Sequence, residues 1–348
     1  MTLDSLDTPV LVNMADVEAV PVRWLWPGRL PRGRLSLLAG MPGLGKSFAT
    51  ADFAARVSTG TAWPDGSACD RGSVLFVAAE DDPADTVRPR LDAHNADVSR
   101  VHMLTGVHRL DRNGKPVEAA FMLEDLAPLE RALDTIDDVR LIVVDPIGSY
   151  LGAGVNAHMD TEVRAVLAPL AALASKADAA VLIVSHIRKG TATHPDDLVL
   201  GSRAFTGLAR SVLHLTTNPD DKQERLLLPG KNNLAKSPDG WGFKIRDEPA
   251  CVAWADRPTT WTMDEVLAAA NGGRAREDDN EHADWLRDVL SNGPIPSVDV
   301  KERAEADGFK WRKIQDTKNL IGAKATREGF SSSGRWVWHM PNARDDSP

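Results

Sequence analysis

One short glycine-rich stretch carries residue types that hold phosphate. In "LSLLAGMPGLGKSFATADFAARV", residues 35–57, Gly40 is followed after four positions by Gly45, Lys46 and Ser47, the spacing G-x-x-x-x-G-K-[ST]. Glycines let the backbone fold around an anion, so that successive N–H groups face it from the start of a helix. The loop therefore comprises Gly40, Met41, Pro42, Gly43, Leu44, Gly45, Lys46, Ser47 and Phe48. In it, Lys46 would reach the β- and γ-phosphates and the Ser47 hydroxyl would ligate Mg²⁺. The ligands implied are ATP and Mg²⁺.

A phosphate cradle alone does not hydrolyse anything, so a metal carboxylate and a base are needed. Asp145 ends the apolar run "LIVVD", the pattern of a strand whose carboxylate supports Mg²⁺ through the water shell of the metal. Pro146 follows it rather than a glutamate, so the base must come from elsewhere. "LFVAAEDD" ends a strand in Glu80, which we read as the group that orients the attacking water. Asp81 and Asp82 beside it read individually as solvated loop residues. His186 closes "AVLIVSH" and is placed to sense the γ-phosphate, against the alternative of a structural histidine. Arg203, Arg210 and Lys231 are the candidates for neutralising transition-state charge from a neighbouring subunit.

These residues need a scaffold that brings strand ends together. Apolar runs at 35–39, 73–79, 101–104, 141–145, 180–186 and 211–217 alternate with helical patterns, which predicts a mostly parallel sheet covered on both faces. Ligands in such α/β folds sit at the carboxyl ends of the strands. The stretch 47–57 reads as the helix after the glycine-rich turn, with Phe48, Ala51, Ala54 and Ala55 on its packed face. A hairpin of "ERLLLPGKNNLA" with "GWGFKI" closes the domain. We expect an N-terminal arm over 1–32, the ATPase domain over 33–260, a linker over 261–281, a small domain over 282–340 and a disordered tail over 341–348. The linker rests on "NGGRAREDDNEH", which is charged and lacks apolar periodicity.

The chain has 348 residues and a formal net charge of -9, which excludes a uniformly basic nucleic-acid coat but not a local patch. Cys69 and Cys251 are too few for a disulfide framework or a zinc site. Its N-terminal residues lack the pattern of a secretory signal and no apolar run reaches about 18 residues, so the expected location is cytoplasmic, with no membrane partner.

In 282–340, three helical patterns precede "KATREGF" and "RWVWHM", which read as a two-stranded wing: a winged helix-turn-helix. Ser297 is the expected N-cap of the second helix, with Gly308 past its end; Trp311, Ile314 and Ile321 of the third face the core. From Lys310 to Arg335, seven basic residues stand against Asp316 and Glu328, a net of +5. That concentration suits phosphate contacts, although such a module can also dock proteins.

The set Gly40-x₄-Gly45-Lys46-Ser47, Glu80, Asp145 without a following glutamate, and His186 resembles the RecA-like ATPases. With "RWLWPGRLPRGRLSLLAGMPGLGKS", "FVAAEDD", "VVDPIGSYLG", "VSHIRKG" and "GSRAFTGLARSVLHL", it is most similar to the RepA-type hexameric replicative helicases of plasmids, phages and prophages, kin of DnaB and KaiC. The resemblance spans about residues 20–250. It implies a RecA-like P-loop domain, beside which the winged helix is a separate small domain, a hexameric homo-oligomer, and single-stranded DNA held by the loops "GSYLGAGVNAHMD" and "RKGTATHPDDLV". Duplex DNA or a replication protein would meet the C-terminal domain. The DnaB-like Lys-x-Arg is here only Lys231-Asn232-Asn233, which leaves the trans-acting residue open. A filament-forming recombinase or annealing ATPase, and a DNA-binding regulator switched by ATP, are the rival readings.

Overall fold

The computed structural model describes residues 10–78, 80–152, 154–187, 199, 203–328 and 335–340, without the side chains of 271–280 and 328. The chain divides into two compact units, Met1–Val266 and Leu267–Pro348.

The first unit is built on a nine-stranded sheet. In chain order its strands are β3 (Leu35–Gly40), β4 (Ser73–Ala78), β5 (Val101–Leu104), β8 (Val139–Asp145), β9 (Ala180–His186), β10 (Ser211–Thr217), β11 (Arg225–Asn232), β12 (Gly240–Asp247) and β13 (Ala250–Thr259). The spatial order is β13-β12-β11-β10-β3-β9-β8-β4-β5. From β10 to β5 every pairing is parallel, and β11, β12 and β13 extend the sheet antiparallel. The sheet is therefore mostly parallel, with one strand, β13, beyond the expected hairpin.

Burial on both faces explains the near-continuous apolar runs. In β3, Leu35, Leu37 and Ala39 face a core shared with α3 (Ala127–Asp134), α4 (Asp160–Ala177) and α5 (Ala204–Leu208). Leu38 of the same strand faces the other core, with Phe53 and Val57 of α1 (Lys46–Thr59). Each fully buried Leu, Val or Phe side chain here contributes roughly 1.5–3 kcal/mol. Helix α1 is not amphipathic as read: Ala49, Phe53 and Val57 are buried along with Ala51, Ala54 and Ala55, while Phe48 is only half-buried. The helix is sandwiched between the sheet, β13 and the N-terminal tryptophans, so it has little solvent face.

The expected arm over 1–32 ends sooner than read. Strands β1 (Trp24–Trp26) and β2 (Leu30–Pro31) belong to the core. Trp26 stacks on Trp63 at 4.5 Å, and Arg29 lies over Trp26 at 4.6 Å while pairing with Asp65 at 2.7 Å. Trp63 Nε1 donates to the Leu25 carbonyl at 2.7 Å. These contacts are long-range, so local pattern could not reveal them. A second hairpin, β6 (Val107–Leu110) with β7 (Pro116–Ala119), turns at Asn113-Gly114 beyond β5.

The second unit holds most of α6 (Met263–Val289), then β14 (Ile295–Pro296), α7 (Ser297–Ala306), α8 (Trp311–Leu320), β15 (Lys324–Glu328) and β16 (Arg335–His339). The strands form one sheet in the order β14-β16-β15, one strand more than the expected two. Leu286, Leu290, Val300, Ala304, Ile314 and Trp338 make its core. Trp311 and Ile321 pack against that core only half-buried, and Gly308 follows α7 at φ +85°. The expected linker over 261–281 is helical from Met263 onward. A reciprocal cap starts it: Thr262 Oγ1 accepts from the Glu265 N–H at 3.3 Å, and the Glu265 carboxylate accepts from Thr262 N–H at 2.8 Å. Missing apolar periodicity removes a core-facing stripe, not helix propensity, and Ala, Arg and Glu are good helix formers. Ser297 is the first residue of α7 rather than its cap; Pro296 occupies the cap position. The expected tail over 341–348 lies outside the described residues. Among the described residues, no helix is long and apolar enough to cross a membrane.

Candidate active site

Four parallel strands deliver the sequence candidates to one edge of the sheet. In register, Gly40 at the end of β3 pairs with His186 at the end of β9, and Ala78 of β4 pairs with Asp145 at the end of β8. Glu80 follows two residues after Ala78. Strand order thus brings Glu80, Asp145 and His186 to one cleft of about 430 Å³ beside the turn that Gly40 opens; Gly40 itself, with Met41 and Leu44, is not in the lining.

The glycine-rich turn has the backbone that its sequence demands. Gly43 and Gly45 sit at φ +76° and +87°. A Cβ on Gly40 would lie 2.7 Å from the Leu215 carbonyl oxygen, and one on Gly45 would lie 2.6 Å from Ile245 Cδ1. The turn ends in α1, so the unpaired N–H groups of a 14-residue helix open onto it. Lys46 is 6% exposed; its Nζ donates to the Gly40 and Met41 carbonyls at 2.9 and 3.0 Å and lies 3.1 Å from His186 Nδ1.

Burial lowers the pKa of the Lys46 ammonium, against the pull of Asp145 and then Glu80. His186 is also lowered, by burial first and by Lys46 second. An ammonium only donates, so Nδ1 of His186 accepts from it and the imidazole proton sits on Nε2. Asp145 shifts the other way, to about 6. Burial is the main cause; Asp81 and Glu80 add to it, while Lys46 and Arg90 oppose it. A carboxylate held at such cost is suited to a divalent cation, and with the Ser47 hydroxyl it offers the hard oxygen donors that Mg²⁺ takes. Both residues line the cleft, so the donor set fits the metal. Glu80 is exposed within the same lining and accessible to a water.

Two lining residues, Arg90 and Ile245, were not legible in the sequence. Arg90, from α2 (Arg88–Ala93), pairs with Asp81 at 2.6 Å, and its guanidinium lies 4.7 Å from the Phe48 ring centroid. Ile245 comes from β12 against Gly45. Arg90 and Ile245 give the cleft a cationic plane and an apolar wall beside the loop, surfaces suited to a nucleotide base. No motif spacing marks either one; the fold alone brings α2 and β12 to the turn. Asp81 is thus an ion-pair partner rather than a solvated loop residue. Asp82 caps the following turn, accepting from the Ala84 and Asp85 N–H groups at 2.7 and 3.1 Å.

Arg203, Arg210 and Lys231 are not in the lining of this cleft. Arg203 and Arg210 are exposed. Lys231 donates to the carbonyls of Thr206, Gly207 and Ala209 at 2.6, 3.2 and 3.3 Å, where α5 ends. Cations commonly satisfy helix C-termini in this way. Of the two expected DNA loops, "RKGTATHPDDLV" lies outside the described residues apart from Val199. The other is tied within the chain: Leu123 N–H donates to the Tyr150 carbonyl at 2.8 Å, and Asn156 N–H to Glu162 at 2.6 Å.

A KaiC-like protein from the hyperthermophilic archaeon Pyrococcus horikoshii is similar in structure, with a TM-score of 0.46 and 17% identity over 67% of this chain and 100% of that one. No curated protein matches. A family model described as an AAA domain matches residues 3–192, which include the glycine-rich loop, Glu80, Asp145 and His186. The chain therefore belongs to the AAA domain family, and its P-loop cleft is that of an ATPase.

Proposed function

We propose that this chain is an ATP-dependent DNA motor, a ring-forming replicative helicase that translocates on single-stranded DNA as a homo-hexamer. The observation that carries the reading is the convergence of Glu80, Asp145 and His186 on the P-loop cleft, at the carboxyl ends of β4, β8 and β9. That arrangement couples one phosphate site to the ends of three core strands. The RecA-like character, the RepA-type subgroup and the DNA partner rest on the motif resemblance, and the net +5 of residues 310–335 supports a nucleic-acid contact in the second unit. There, a helix pair with a three-stranded sheet supports a winged helix-turn-helix that binds duplex DNA or a replication protein.

The cradle of Gly40 to Ser47 binds the phosphates and Lys46 neutralises them. Mg²⁺, held by Ser47 and Asp145, would offset charge on the transferring phosphoryl group. Glu80 orients the attacking water and accepts hydrogen bonding from it. His186 presents Nε2–H as a donor while Nδ1 engages Lys46, so a change at the phosphates is transmitted to the end of β9. Arg203 and Arg210 remain the candidates for a charge supplied to the neighbouring subunit; Lys231 is occupied by its own α5.

Steady-state ATPase activity with and without single-stranded DNA tests the proposal, with Lys46→Ala and Glu80→Gln as controls. Strong stimulation by single strands, lost in both variants, is expected. Turnover indifferent to single strands overturns the motor reading, and a response to duplex alone favours the ATP-switched regulator.

A further inference from the structure

One imidazole joins the two walls that Arg90 and Ile245 give the cleft. His94 follows directly on α2, is half-buried, and does not itself line the cleft. Its Nδ1 lies 2.6 Å from the Arg90 carbonyl oxygen, and its Nε2 lies 2.9 Å from the backbone nitrogen of Val252 in β13, 158 positions away. A carbonyl only accepts and an N–H only donates, so Nδ1 carries the ring proton and Nε2 is bare. The neutral imidazole meets both demands at once, whereas a protonated one would set a second N–H against that of Val252.

Strand register carries the second of these bonds to the cleft. Val252 stands opposite Ile245 in the β12–β13 pair, and side chains of directly opposed residues lie about 4.5–5.5 Å apart at Cβ, so holding Val252 holds Ile245. At the other end, the chain that His94 grips at its carbonyl is Arg90 itself, whose guanidinium lies over Phe48 and pairs with Asp81. The two walls come from distant parts of the sheet. β12 is second from one edge and β4, which α2 follows, is second from the other. Strand pairing therefore fixes each wall but not the gap between them. Leu91 of α2 shares the apolar core over α1 with Val252 and Trp254 of β13, and such packing is non-directional. A hydrogen bond has both length and direction, so the His94 bridge sets the gap.

We infer that His94 is a positioning residue for nucleotide binding: it latches the β12–β13 hairpin to α2 and thereby sets the opening between Arg90 and Ile245 that receives the base. The phosphate cradle is held by the positive φ of Gly43 and Gly45 and by the start of α1, so it does not depend on the latch. The inference rests on the ATP site of the proposed function and assigns the contact by which that site prefers a nucleotide to bare phosphates.

Binding of Mg-ATP and of magnesium tripolyphosphate, which carries the phosphates without the base, is measured by calorimetry on the full chain beside steady-state turnover. For His94→Leu, loss of the bond to Val252 should weaken ATP binding about fivefold, leave tripolyphosphate binding unchanged and raise KM at constant kcat. His94→Asn keeps a polar group near the Arg90 carbonyl but is too short to reach Val252, and should match the leucine variant. His94→Gln, whose amide reaches the Nε2 position, should restore ATP binding. The Asn and Gln pair carries the same comparison should the leucine variant not fold. In a chain that already carries Arg90→Ala and Ile245→Ala, the change at His94 should have no further effect, because the walls it spaces are gone. ATP binding at the wild-type level in the Leu and Asn variants, equal losses for ATP and tripolyphosphate, or an undiminished effect in the chain without the walls overturns the inference. Wild-type protein that binds ATP no better than tripolyphosphate overturns it as well and leaves a phosphate site standing; wild-type protein that binds neither overturns the ATP site itself.

Discussion

Replacing Asp145 with Asn should make the protein more stable without metal and unable to gain from Mg-ATP. The ordinary value of the carboxyl is 3.8 and its folded value is about 6, raised by burial and by Asp81 and Glu80. A raised acid favours the fold in its protonated form. That contribution is complete below pH 3.8 and is lost as pH rises through about 6. The shift of about two units corresponds to about 3 kcal/mol at most, and some relaxation around the charge reduces it to about 1–2 kcal/mol. Asn cannot ionise, so it avoids this loss at pH 7.5. For a domain of this size each kcal/mol moves Tm by about 2–4 °C, which gives about 2–8 °C in favour of the variant. Thermal melts in EDTA from pH 4 to 8 should show the two proteins converging toward pH 4, separating between about pH 4 and 6, and keeping a constant gap above it. Added Mg-ATP should reverse the order, since only the wild type keeps the carboxylate for the metal. A variant that melts below the wild type at pH 7.5 in EDTA, or a gap that ignores pH, refutes the reasoning.

Other expectations follow from single contacts. Gly40→Ala places a Cβ against the Leu215 backbone and should cost about 1–3 kcal/mol and nucleotide affinity together, measured by denaturation and by titration with a fluorescent ATP analogue. Lys231→Ala strips three carbonyls at the end of α5 of their donor and should lower stability by about 1–3 kcal/mol, whereas exposed Arg210→Ala should stay within about 0.5 kcal/mol; equal effects in urea melts would contradict the assignment. Trp26→Ala removes the stack on Trp63 and the roof over α1, with an expected loss of about 3–5 kcal/mol in the same assay. Arg90→Ala should weaken nucleotide binding while leaving the melting temperature in EDTA nearly unchanged, because the Arg90–Asp81 pair is partly exposed and such pairs contribute little to stability.

The sequence by itself determined the chemistry that depends on local spacing. Gly40, Gly45, Lys46 and Ser47 carry their own backbone requirement, and six strands read as buried because both faces of a parallel sheet demand apolar residues. Asp145 and His186 end such strands, so their placement at the carboxyl edge followed from strand direction alone. Tertiary structure decided everything that depends on which elements meet. Arg90 and Ile245 reach the cleft only because α2 and β12 flank the turn, and nothing in their neighbours marks them. Lys231 resembles a finger residue in sequence, yet it caps α5 because β11 brings it beside that helix. Residues 24–31 resemble an arm until Trp26 meets Trp63, 37 positions away, and the charged run near 271 looks like a linker because helix formation needs no apolar stripe. Backbone geometry is written within a few residues, whereas a side chain's partner is chosen by packing across tens or hundreds.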